Sequence, residues 1–591
     1  MDYLKNTPVL VLGLGDSGLA MARWCARFGA HVRVWDSREQ PPHTAALAEH
    51  LPDAQWVRGP LTDEAFAGVK LVLKSPGLSP QDERIAAPLD RAADRGVLVQ
   101  GELDLFARAL TDLKADRGYA PKLLAITGTN GKTTTTAMAA MLIARTGKRV
   151  AVAGNIGPTM LQTLADAIDA EPLRSDVPGL PSTGSERAEK QAQPEEISDA
   201  DAAAVVAPDE QVVTGDPAPE SLLEDETAPL VELVPPPPAL PVFEVLPEVW
   251  VLELSSFQLH DAKGFEPDAA AVLNITQDHL DWHGAMSHYI AAKARVFGKH
   301  AVMVVNRDDA LVEALVPAPE IVRGAKGRRA TTLERQVVRF GIDAPQRPGD
   351  FGLVDENGMT WLVRARELDE TLTRARGGKG GGGVPHEFEG LLIQRLMPAD
   401  ALRVRGRHNA CNALAALALA TAIGCPLAPM LHGLREYEGE PHRVAFVASI
   451  EGIDAFDDSK GTNVGATVAA LNGLGADKAP AKLVVILGGD GKGQDFSPLA
   501  EPVRRHARAV ALIGRDASRV EQALAEAGAP MQRFETLQAA TRWAFERAHP
   551  GDAVLLSPAC ASLDMFRNYA HRAEVFVAEV RAIAADRGAA V

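Results

Sequence analysis

The chain of 591 residues lacks the features that mark secreted and membrane proteins. It has only four cysteines, and they form no C-x-x-C pair, so we expect buried thiols in a reducing cytoplasm. No apolar run reaches the roughly 18 residues that a membrane span requires. The first residues, MDYLKNTPVLVLG, contain no basic stretch followed by an apolar one, which is the pattern of a secretory signal. We therefore expect a cytoplasmic protein with no membrane insertion.

A surplus of basic residues is also missing, because the formal net charge is −17. Nucleic-acid-binding proteins usually carry clustered lysine and arginine, so we expect no nucleic-acid partner. Most of the negative charge lies in one segment, residues 167–246, with 18 acidic residues against Arg174, Arg187 and Lys190. The rest of the chain is close to neutral, so the acidity belongs to this segment and not to an enzyme surface.

The same segment, 167–246, has little that could form a core. It contains 13 prolines and one aromatic residue, Phe243, and shows almost no hydrophobic periodicity. Such a composition cannot bury enough apolar surface to offset the entropy cost of ordering the chain. We expect a disordered insert there and a flexible glycine-rich loop at 376–384.

One stretch organises the centre of the chain. An apolar run, Leu123–Ile126, predicts a buried strand, and TGTNGKT follows it at residues 127–133 before a helix-forming run. Glycines at a strand-to-helix turn let backbone N–H groups converge on an anion, and the helix dipole adds positive potential. Lys132 would then contact the outer phosphates of a nucleotide, and the Thr133 hydroxyl would ligate Mg²⁺. Although Ile126 replaces the first glycine of the generic P-loop pattern, the stretch predicts a nucleoside triphosphate site.

Ionisable residues follow in the same region. Glu253 is the single acid on the apolar strand that begins at Val249, and a buried carboxylate needs a partner. Mg²⁺ beside a triphosphate is one candidate partner, and a structural ion pair is the alternative. His279 lies among acids after the next predicted strand. Lys293 lies on a predicted helix, where taken alone it would be a solvated surface lysine.

The N-terminal region opens with a complete strand–helix–strand unit. GLGDSG at residues 13–18 matches G-x-G-x-x-G, and Asp36 follows 18 positions after the last glycine. This pattern favours NAD, with Asp36 on a ribose hydroxyl, although such a turn can also bind another nucleotide diphosphate or nothing. A later strand ends in Ser75-Pro76-Gly77, at the sheet edge where ligands bind in open α/β folds.

Length and motifs together predict the fold class. A chain of this size holds about three or four domains. In the C-terminal part, predicted strands end in DDSKGTN (457–463), LGGDGK (487–492) and SPACASLD (557–564), which indicates a second open α/β domain with a site on its loops. We predict an α/β protein of three domains: a Rossmann-like domain at 1–102, a P-loop-type ATPase domain at 103–438 and a Rossmann-like domain at 439–591.

Together these motifs resemble those of the Mur ligases of peptidoglycan synthesis. The further matching segments are LELSSFQL (252–259), the TxDH element (276–279), GRHNACNALAA (406–416) and PHR (441–443). The resemblance covers essentially the whole chain except the acidic insert and the glycine-rich loop. It implies an ATP-dependent ligase of three domains that joins an amino acid to a UDP-muramoyl carboxylate.

The resemblance is strongest to the branch of the family that adds D-glutamate to UDP-N-acetylmuramoyl-L-alanine. It implies that ATP phosphorylates the substrate carboxylate and that the D-glutamate amine then attacks the resulting acyl phosphate. The N-terminal turn would hold a UDP diphosphate rather than NAD. ATP and Mg²⁺ would be the cofactors, and we expect a monomer.

The resemblance also implies roles for individual residues. The catalytic residues would be Lys132, Glu253, His279 and Lys293. Mg²⁺ ions would be held by Thr133 and Glu253, and by His279 with Lys293, the lysine acting as a carbamate formed with CO₂. ATP would be bound by Gly128, Thr129, Asn130, Gly131, Lys132, Thr133, Asn409, Asn412, Arg443 and Asp458. The UDP substrate would be bound by Ser17, Asp36, Ser37, Arg38, Gly77 and Asn155, and D-glutamate by Thr462, Lys492, Ser562, Leu563 and Tyr569. Two positions depart from the family, because Asp16 replaces an apolar residue and Tyr569 replaces a phenylalanine.

Alternatives remain open from the sequence. A folylpolyglutamate synthetase, another carboxylate–amine ligase of the superfamily, lacks the N-terminal glycine-turn domain. A ligase that adds diaminopimelate or lysine fits less well, since the cation of Lys492 suits an acidic side chain. An NAD-dependent dehydrogenase with an ATP-binding module leaves TGTNGKT, Glu253 and Asp458 unexplained. A non-catalytic binding protein would not need so many ionisable residues at strand ends.

Overall fold

A computed structural model describes residues 1–172, 242–322, 331–367, 391–404 and 406–589. The described residues within Met1–Glu171 and Phe243–Val591 belong to one compact unit. Residues 173–241 and the glycine-rich segment 376–384 lie outside the described residues, and so do the predictions made for them. Within the described ranges, none of the helices has the length and apolar composition needed to span a lipid bilayer.

The N-terminal region is a five-stranded parallel sheet with the order β3-β2-β1-β4-β5. Its strands are β1 (Pro8–Leu12), β2 (His31–Trp35), β3 (Gln55–Val57), β4 (Leu71–Lys74) and β5 (Leu98–Gln100). Its helices are α1 (Asp16–Arg27), α2 (Thr44–His50), α3 (Ala86–Asp94) and α4 (Glu102–Arg117). The strand order reverses between β1 and β4, so the turns that follow these two strands lie side by side at a crevice.

The central region contains a six-stranded parallel sheet with the order β13-β10-β9-β6-β8-β7. The strands are β6 (Lys122–Thr127), β7 (Val150–Gly154), β8 (Val249–Glu253), β9 (Ala269–Val272), β10 (Val302–Asn306) and β13 (Val337–Phe340). The helices are α5 (Lys132–Ala144), α6 (Met160–Ala170), α7 (Ser256–His260), α8 (Leu280–His283), α9 (Met286–Ala294), α10 (Ala310–Glu313), α11 (Arg407–Ala422) and α12 (Leu427–Leu434). The middle of α11 is almost entirely alanine and leucine and is fully buried, as expected for a helix that is apolar on all sides.

Smaller antiparallel elements complete this region. Strands β11 (Glu320–Val322) and β12 (Thr331–Leu333) pair with each other, and β14 (Phe351–Glu356), β15 (Met359–Glu367) and β16 (Leu391–Pro398) form a three-stranded sheet.

Single turns of 3₁₀ helix occur in all three regions, at Asp2–Leu4, Asp63–Phe66, Arg295–Phe297, Ala399–Ala401 and Ser497–Leu499.

The predicted ends of the acidic insert are wrong. Helix α6 continues through Ala170, beyond the expected start at Ala167, and Leu246 at the expected end is fully buried. The Glu171 carboxylate joins the two ends, because it accepts hydrogen bonds of 2.7–2.8 Å from three consecutive backbone N–H groups that end at Leu246. A composition averaged over 80 or so residues hid these ordered ends.

The C-terminal region is a second six-stranded sheet with the order β17-β18-β22-β19-β20-β21, in which β17 alone is antiparallel. The strands are β17 (Ala445–Ile450), β18 (Ile453–Asp457), β19 (Leu483–Gly488), β20 (Ala507–Ile513), β21 (Met531–Arg533) and β22 (Ala553–Leu556). The helices are α13 (Val464–Lys478), α14 (Ala500–His506), α15 (Ala517–Ala523), α16 (Leu537–Arg547) and α17 (Tyr569–Asp586). Because β18, β22 and β19 are parallel neighbours, the loops after them meet at one edge. The α/β class with parallel sheets in three regions is confirmed.

Candidate active site

The glycine-rich turn 127–133 joins β6 to α5, as the sequence predicts. Gly131 has a φ of 82°, a left-handed conformation that favours glycine. A side chain at this position would also collide with Asn412, because its Cβ atom would lie 2.6 Å from the Asn412 Oδ1 atom. Asn274, which the sequence analysis missed, fixes the turn by exchanging hydrogen bonds of 2.8 and 3.0 Å with the backbone of Asn130. Its signal was its position directly after a strand of the same sheet.

Two lysine side chains meet at one carbonyl oxygen of this turn. The Nζ atom of Lys132 donates to the carbonyl of Gly128 at 3.0 Å and to that of Thr129 at 2.8 Å. The Nζ atom of Lys293 donates to the same Gly128 oxygen at 2.7 Å and lies 4.6 Å from the ring centre of Tyr289. Only 1% of Lys293 is exposed, so the interpretation of this residue as a solvated surface lysine is wrong.

Burial and mutual repulsion alter the protonation of both lysines. Burial lowers the pKa of Lys132, which the carboxylates of Glu253 and Asp278 partly oppose. Burial lowers the pKa of Lys293 well below its ordinary value, and the neighbouring charge of Lys132 lowers it further. A desolvated ammonium group beside another cation loses its proton more readily. The turn therefore combines one cation with an amine that has a strong tendency to be neutral.

Glu253 lies at the end of β8, opposite the end of β7, and its side chain is buried. Its Oε1 atom accepts a hydrogen bond of 3.0 Å from the Asn155 amide. Its Oε2 atom has no hydrogen-bond partner in the part of the chain that the structure describes. A buried carboxylate oxygen without a partner is costly, and a bound cation would offset that cost.

His279 occupies a left-handed backbone position, with a φ of 53°, at the start of α8. Burial lowers the pKa of its imidazole, and the positive charges of Lys492 and Lys132 lower that pKa further. The carboxylate of Asp278 has the opposite effect but does not outweigh them, so the ring is neutral at pH 7. A neutral imidazole can ligate a metal ion. Across the described ranges, no three His, Cys, Asp or Glu side chains form a group that could hold a metal ion, so a cation here would need hydroxyl, phosphate or water oxygens as well.

Six of the ten residues predicted to bind ATP line one cavity between the glycine turn and the C-terminal region, and Gly128, Thr129, Lys132 and Thr133 lie elsewhere on the turn. Asn409, Asn412, Arg443 and Asp458 line this cavity together with Asn130 and Gly131. Arg443 donates a hydrogen bond to the hydroxyl of Thr133, although the two residues are 310 positions apart. Burial raises the pKa of Asp458 to about 7, while a hydrogen bond of 2.6 Å from Ser557 and the charge of Arg443 oppose this.

A second cavity lies at the crevice of the N-terminal sheet. It is lined by the predicted residues Ser17, Asp36, Ser37, Arg38 and Gly77, together with Gly13 and Gly15 of the first glycine turn. Asp36 accepts from the backbone N–H of Leu14 at 2.6 Å and pairs with Arg38 at 2.8 Å. Asn155 lines an adjoining cavity that shares Ser17 with the first. The six predicted residues therefore line two cavities that share Ser17, and Asn155 in the second cavity bonds to Glu253.

Four of the residues predicted for D-glutamate lie on the loops at the edge of the C-terminal sheet, and the fifth, Tyr569, begins α17. Asp490 and Ala561 form an isolated backbone bridge, which brings the Lys492 loop against the loop that carries Ser562 and Leu563. Ser562 is buried and Leu563 is largely exposed. The Nζ atom of Lys460 lies 3.9 Å from the ring centre of Tyr569, and the Lys460 carbonyl accepts the N–H of Thr462 at 2.9 Å.

Arg572 is a buried positioning residue that the sequence analysis missed. It donates to the carbonyl of Ser459 at 2.8 Å and to that of Cys560 at 3.1 Å, so it ties two of these loops together. Burial lowers the pKa of its guanidinium to about 10. No local pattern on α17 distinguishes this arginine from an exposed one.

A contact between the N-terminal and central regions was also missed. Lys74 ends β4 and pairs with Asp261 at 3.0 Å, with its Nζ atom 5.4 Å from the ring centre of Trp282. The Ser79 hydroxyl donates to the carbonyl of Trp282 at 3.1 Å. The Ser79 bond connects the loop after β4 to α8, which follows His279, and the Lys74 pair connects the end of β4 to the end of α7.

Comparisons with known proteins place family models on all three regions. A model described as "Mur ligase MurD-like, N-terminal domain" matches residues 7–101, and "Mur ligase middle domain" matches 126–178 and 242–336. The model "Mur ligase, glutamate ligase domain" matches residues 442–560.

Whole-length relatives are also found. The UDP-N-acetylmuramoylalanine–D-glutamate ligase of Albidiferax ferrireducens is 50% identical over 592 aligned positions, which cover 100% of this chain and 99% of the relative. The enzyme of the same name from Ralstonia nicotianae is 49% identical, with 99% of each chain covered. Among solved structures, UDP-N-acetylmuramate-alanine ligase MurC from Thermotoga maritima aligns with 17% identity and a TM-score of 0.49, over 97% of this chain and 99% of that one.

Proposed function

The chain belongs to the Mur ligase family. We propose that it joins D-glutamate to UDP-N-acetylmuramoyl-L-alanine and that it uses ATP to activate the carboxylate. The similarity to ligases of that name over the whole chain supports this choice of substrates. The main structural support for phosphoryl transfer is that the side chains of Lys132 and Lys293 contact the same carbonyl of a glycine-rich turn. That arrangement suits the transfer of a highly charged phosphoryl group.

The reaction proceeds in two steps. An oxygen of the alanyl carboxylate attacks the γ-phosphorus of ATP, ADP leaves, and an acyl phosphate forms. The neutral amine of D-glutamate then attacks the acyl carbon, inorganic phosphate leaves, and a proton is released as the amide forms. A carboxylate is a poor acyl donor until one oxygen becomes part of a good leaving group, so the first step makes the second one possible.

The turn 127–133 acts as a P-loop in this proposal. Its backbone N–H groups and the start of α5 face the phosphates, which is a favourable position for anions. Lys132 neutralises charge that develops on the transferring phosphoryl group. Asn409, Asn412, Arg443 and Asp458 hold the rest of ATP at the cavity that they line.

The residues present fit Mg²⁺. Thr133 offers a hydroxyl, and Glu253 offers a buried carboxylate oxygen that has no partner among the described residues. Mg²⁺ prefers such oxygens and takes its remaining ligands from phosphates and water. When bound, it would stabilise the charge on the phosphates.

His279 and Lys293 serve a second Mg²⁺ in this proposal, with Lys293 in its carbamate form. Addition to CO₂ needs a neutral amine as the nucleophile, and the amine loses a proton when the carbamate forms. The lowered pKa of Lys293 supplies that neutral form, because burial and the charge of Lys132 both disfavour its ammonium. A carbamate at this position would also place an anion beside the cation of Lys132.

The N-terminal cavity binds the UDP part of the substrate in this proposal, on a Rossmann-like domain at 1–102. Ser17, Asp36, Ser37, Arg38, Gly77 and Asn155 line that cavity and the adjoining one, where Asn155 bonds to Glu253. An NAD-dependent dehydrogenase is the competing interpretation of the same glycine turn. It would leave the lysine pair and Glu253 without a role.

D-Glutamate binds at the loops of the C-terminal domain, at 439–591, beside the ATPase domain at 103–438. Lys492 pairs with the acidic side chain of the amino acid, and Thr462, Ser562, Leu563 and Tyr569 complete the pocket. The charge of Lys492 acts on the imidazole of His279, which is consistent with an amino-acid pocket next to the phosphoryl-transfer site.

Phosphate release from ATP tests this function. The purified full chain is incubated with UDP-N-acetylmuramoyl-L-alanine, Mg²⁺ and a panel of D-glutamate, L-glutamate, diaminopimelate and lysine. We expect release that depends on both the UDP substrate and D-glutamate, with the amide product detected by mass. Release with another amino acid and none with D-glutamate would overturn the substrate assignment.

A further inference from the structure

The side chain of Asn463, in the C-terminal region, bonds to two segments of the central region. Its Nδ2 group donates to the Asn130 Oδ1 atom of the glycine-rich turn at 3.0 Å and to the Asp278 Oδ2 atom at 3.2 Å. The other oxygen of Asp278 accepts the backbone N–H of His279 at 2.9 Å. One amide group thus contacts both the turn assigned to the phosphates and the loop that carries His279. The sequence analysis placed Asn463 at the end of DDSKGTN and assigned it no role.

The start of α13 fixes the orientation of this amide. Asn463 is the N-cap residue of the helix, and its Oδ1 atom accepts the backbone N–H of Ala466 at 2.9 Å. A backbone N–H can bond only to the oxygen of an amide side chain, so the NH₂ group faces the central region. Only 4% of Asn463 and 7% of Asp278 is exposed. Removal of the Asn463 donor would therefore leave poorly solvated acceptor atoms short of a partner, which is costly.

The first turn of α13 also holds the loops to which we assign D-glutamate. The buried side chain of Gln494 accepts the N–H of Val464 at 3.0 Å and donates to the carbonyl of Gly491 at 3.1 Å, so it ties the helix to the loop after β19. The Thr467 hydroxyl donates to the carbonyl of Ser557 at 3.1 Å, which ties the helix to the loop after β22. The N-cap residue therefore connects these loops to the turn that we assign to the phosphates of ATP.

The same turn of α13 packs closely against the central region. A Cβ atom at Gly465 would lie 3.0 Å from the Asn130 Nδ2 atom and 3.0 Å from the Thr276 Oγ1 atom. These separations are shorter than ordinary van der Waals contacts, so a side chain at this position would push the two regions apart. The missing side chain of Gly465 thus allows the approach that the two hydrogen bonds of Asn463 require.

We propose that Asn463 is a positioning residue that holds the D-glutamate loops against the phosphate-binding turn. This inference rests on the proposed function, because that function supplies both ligands. The amine of D-glutamate must reach the acyl carbon, so the two sets of loops need one fixed separation. Without the bonds of Asn463, a smaller fraction of molecules has that arrangement, and the apparent affinity for D-glutamate falls by the same factor. The UDP substrate is assigned to the other two regions, so its affinity does not depend on this contact.

Steady-state kinetics of Asn463→Asp tests this inference in the full chain. Aspartate caps a helix as well as asparagine does, but it cannot donate to Asn130 and places a second carboxylate beside Asp278. KM for D-glutamate should rise about tenfold or more, whereas KM for the UDP substrate should stay within about twofold of the wild type. Asn463→Ala loses the cap and the donor without adding a charge, so its KM for D-glutamate should rise by no more than that of Asn463→Asp.

Gly465→Ala tests the same contact without altering a hydrogen-bonding group. Alanine is the better helix former, so α13 should be at least as stable as in the wild type. The added Cβ atom should nevertheless raise KM for D-glutamate and leave KM for the UDP substrate unchanged, because it lies against the central region. This variant decides by the same criterion if Asn463→Asp does not fold. An unchanged KM for D-glutamate in a folded Gly465→Ala protein would contradict the inference.

Thr536→Asp is the matched control for a charged cap. Thr536 is exposed at the start of α16 in the same region, and its hydroxyl accepts the N–H of Ala539 at 3.3 Å. Both KM values of this variant should equal those of the wild type. An Asn463→Asp protein with an unchanged KM for D-glutamate overturns the inference, because a capping role alone would account for the residue, and so does an equal rise in both KM values. A wild type that releases no phosphate in response to D-glutamate overturns the proposed function, and this inference with it.

Discussion

The two glycine-rich turns of the protein share a strand–turn–helix pattern but have different cations beside them. At the N-terminal turn the pKa of Arg38 is raised, because the guanidinium is hydrogen-bonded to Asp36 and remains half exposed. At the central turn the pKa of Lys132 is lowered, because the ammonium group is buried beside a second lysine. A nearby carboxylate stabilises a cation, whereas burial next to a like charge destabilises it. The N-terminal turn is thus suited to bind an anion, and the central turn is suited to catalyse a reaction of a bound anion.

This difference separates the kinetic effects of substitutions at the two turns. Contacts made equally to the bound substrate and the transition state change KM, whereas contacts that strengthen in the transition state change kcat. We therefore expect the central turn to control kcat and the N-terminal turn to control KM for the UDP substrate.

The largest expected effect is that of Lys132→Ala. Removing the cation from the phosphoryl group should lower kcat by roughly a thousandfold, measured by phosphate release from ATP. The variant should unfold at nearly the wild-type temperature, because among the described residues the hydrogen bonds of Lys132 go to carbonyls of its own turn. Lys122→Ala is the control, since Lys122 is exposed and paired with Asp268 on the same sheet. A folded Lys132→Ala protein with near-normal kcat would contradict the role of the central turn.

A smaller loss is expected for Lys293→Ala. Without the carbamate, kcat should fall by roughly a hundredfold. Added formate or acetate should restore part of the activity, because a small carboxylate can occupy the space of the missing group. The same additive should not help Lys132→Ala, which makes the two variants a matched pair. If no short carboxylate restores activity to a folded Lys293→Ala protein, the carbamate role is unsupported.

At the N-terminal turn, Asp36→Asn should act on binding alone. The neutral side chain no longer orients Arg38 by an ionic pair, so KM for the UDP substrate should rise about tenfold, equivalent to about 1.4 kcal/mol. The kcat value should stay within about threefold of the wild type, and KM for ATP should not change. A fall in kcat as large as that of Lys293→Ala would show that the two turns are not separable.

The smallest effect concerns the pH dependence of stability through Asp458. In the folded protein this carboxyl has its pKa raised to about 7, so it keeps a proton that the unfolded chain releases near pH 4. The folded state then binds more protons between these values, and the free energy of unfolding falls as the pH rises through them. Asp458→Asn removes this term. Its unfolding temperature should rise by a few degrees relative to the wild type between pH 5 and pH 8.

Thermal unfolding of both proteins at the two pH values measures this difference. Asp53→Asn provides the control, because Asp53 is exposed and does not line the ATP cavity. Its difference from the wild type should not depend on pH. An Asp458→Asn protein that follows the wild type at both pH values would mean that the carboxyl is charged in the folded state.

The sequence by itself determined the strands that precede the glycine turns, the turns themselves and the order of the three regions. Apolar runs and glycine turns are local patterns, so TGTNGKT at 127–133 and GLGDSG at 13–18 could be placed at strand ends before the fold was known. The residue motifs also identified the family. These features depend on neighbours within about ten positions, and such neighbours are visible in the sequence.

The tertiary structure alone decided which charged side chains are buried and which other groups they contact. Lys293 looked like a surface residue until packing brought its Nζ atom onto Gly128, 165 positions away. The bond from Asn155 to Glu253 spans 98 positions. In the same way, Asp82 and Arg84 form an ordinary turn in the sequence, and only the reversal of strand order at β1 and β4 places them beside Asp36. The reason is physical: burial and electrostatic coupling depend on distances through space, which local sequence patterns do not encode.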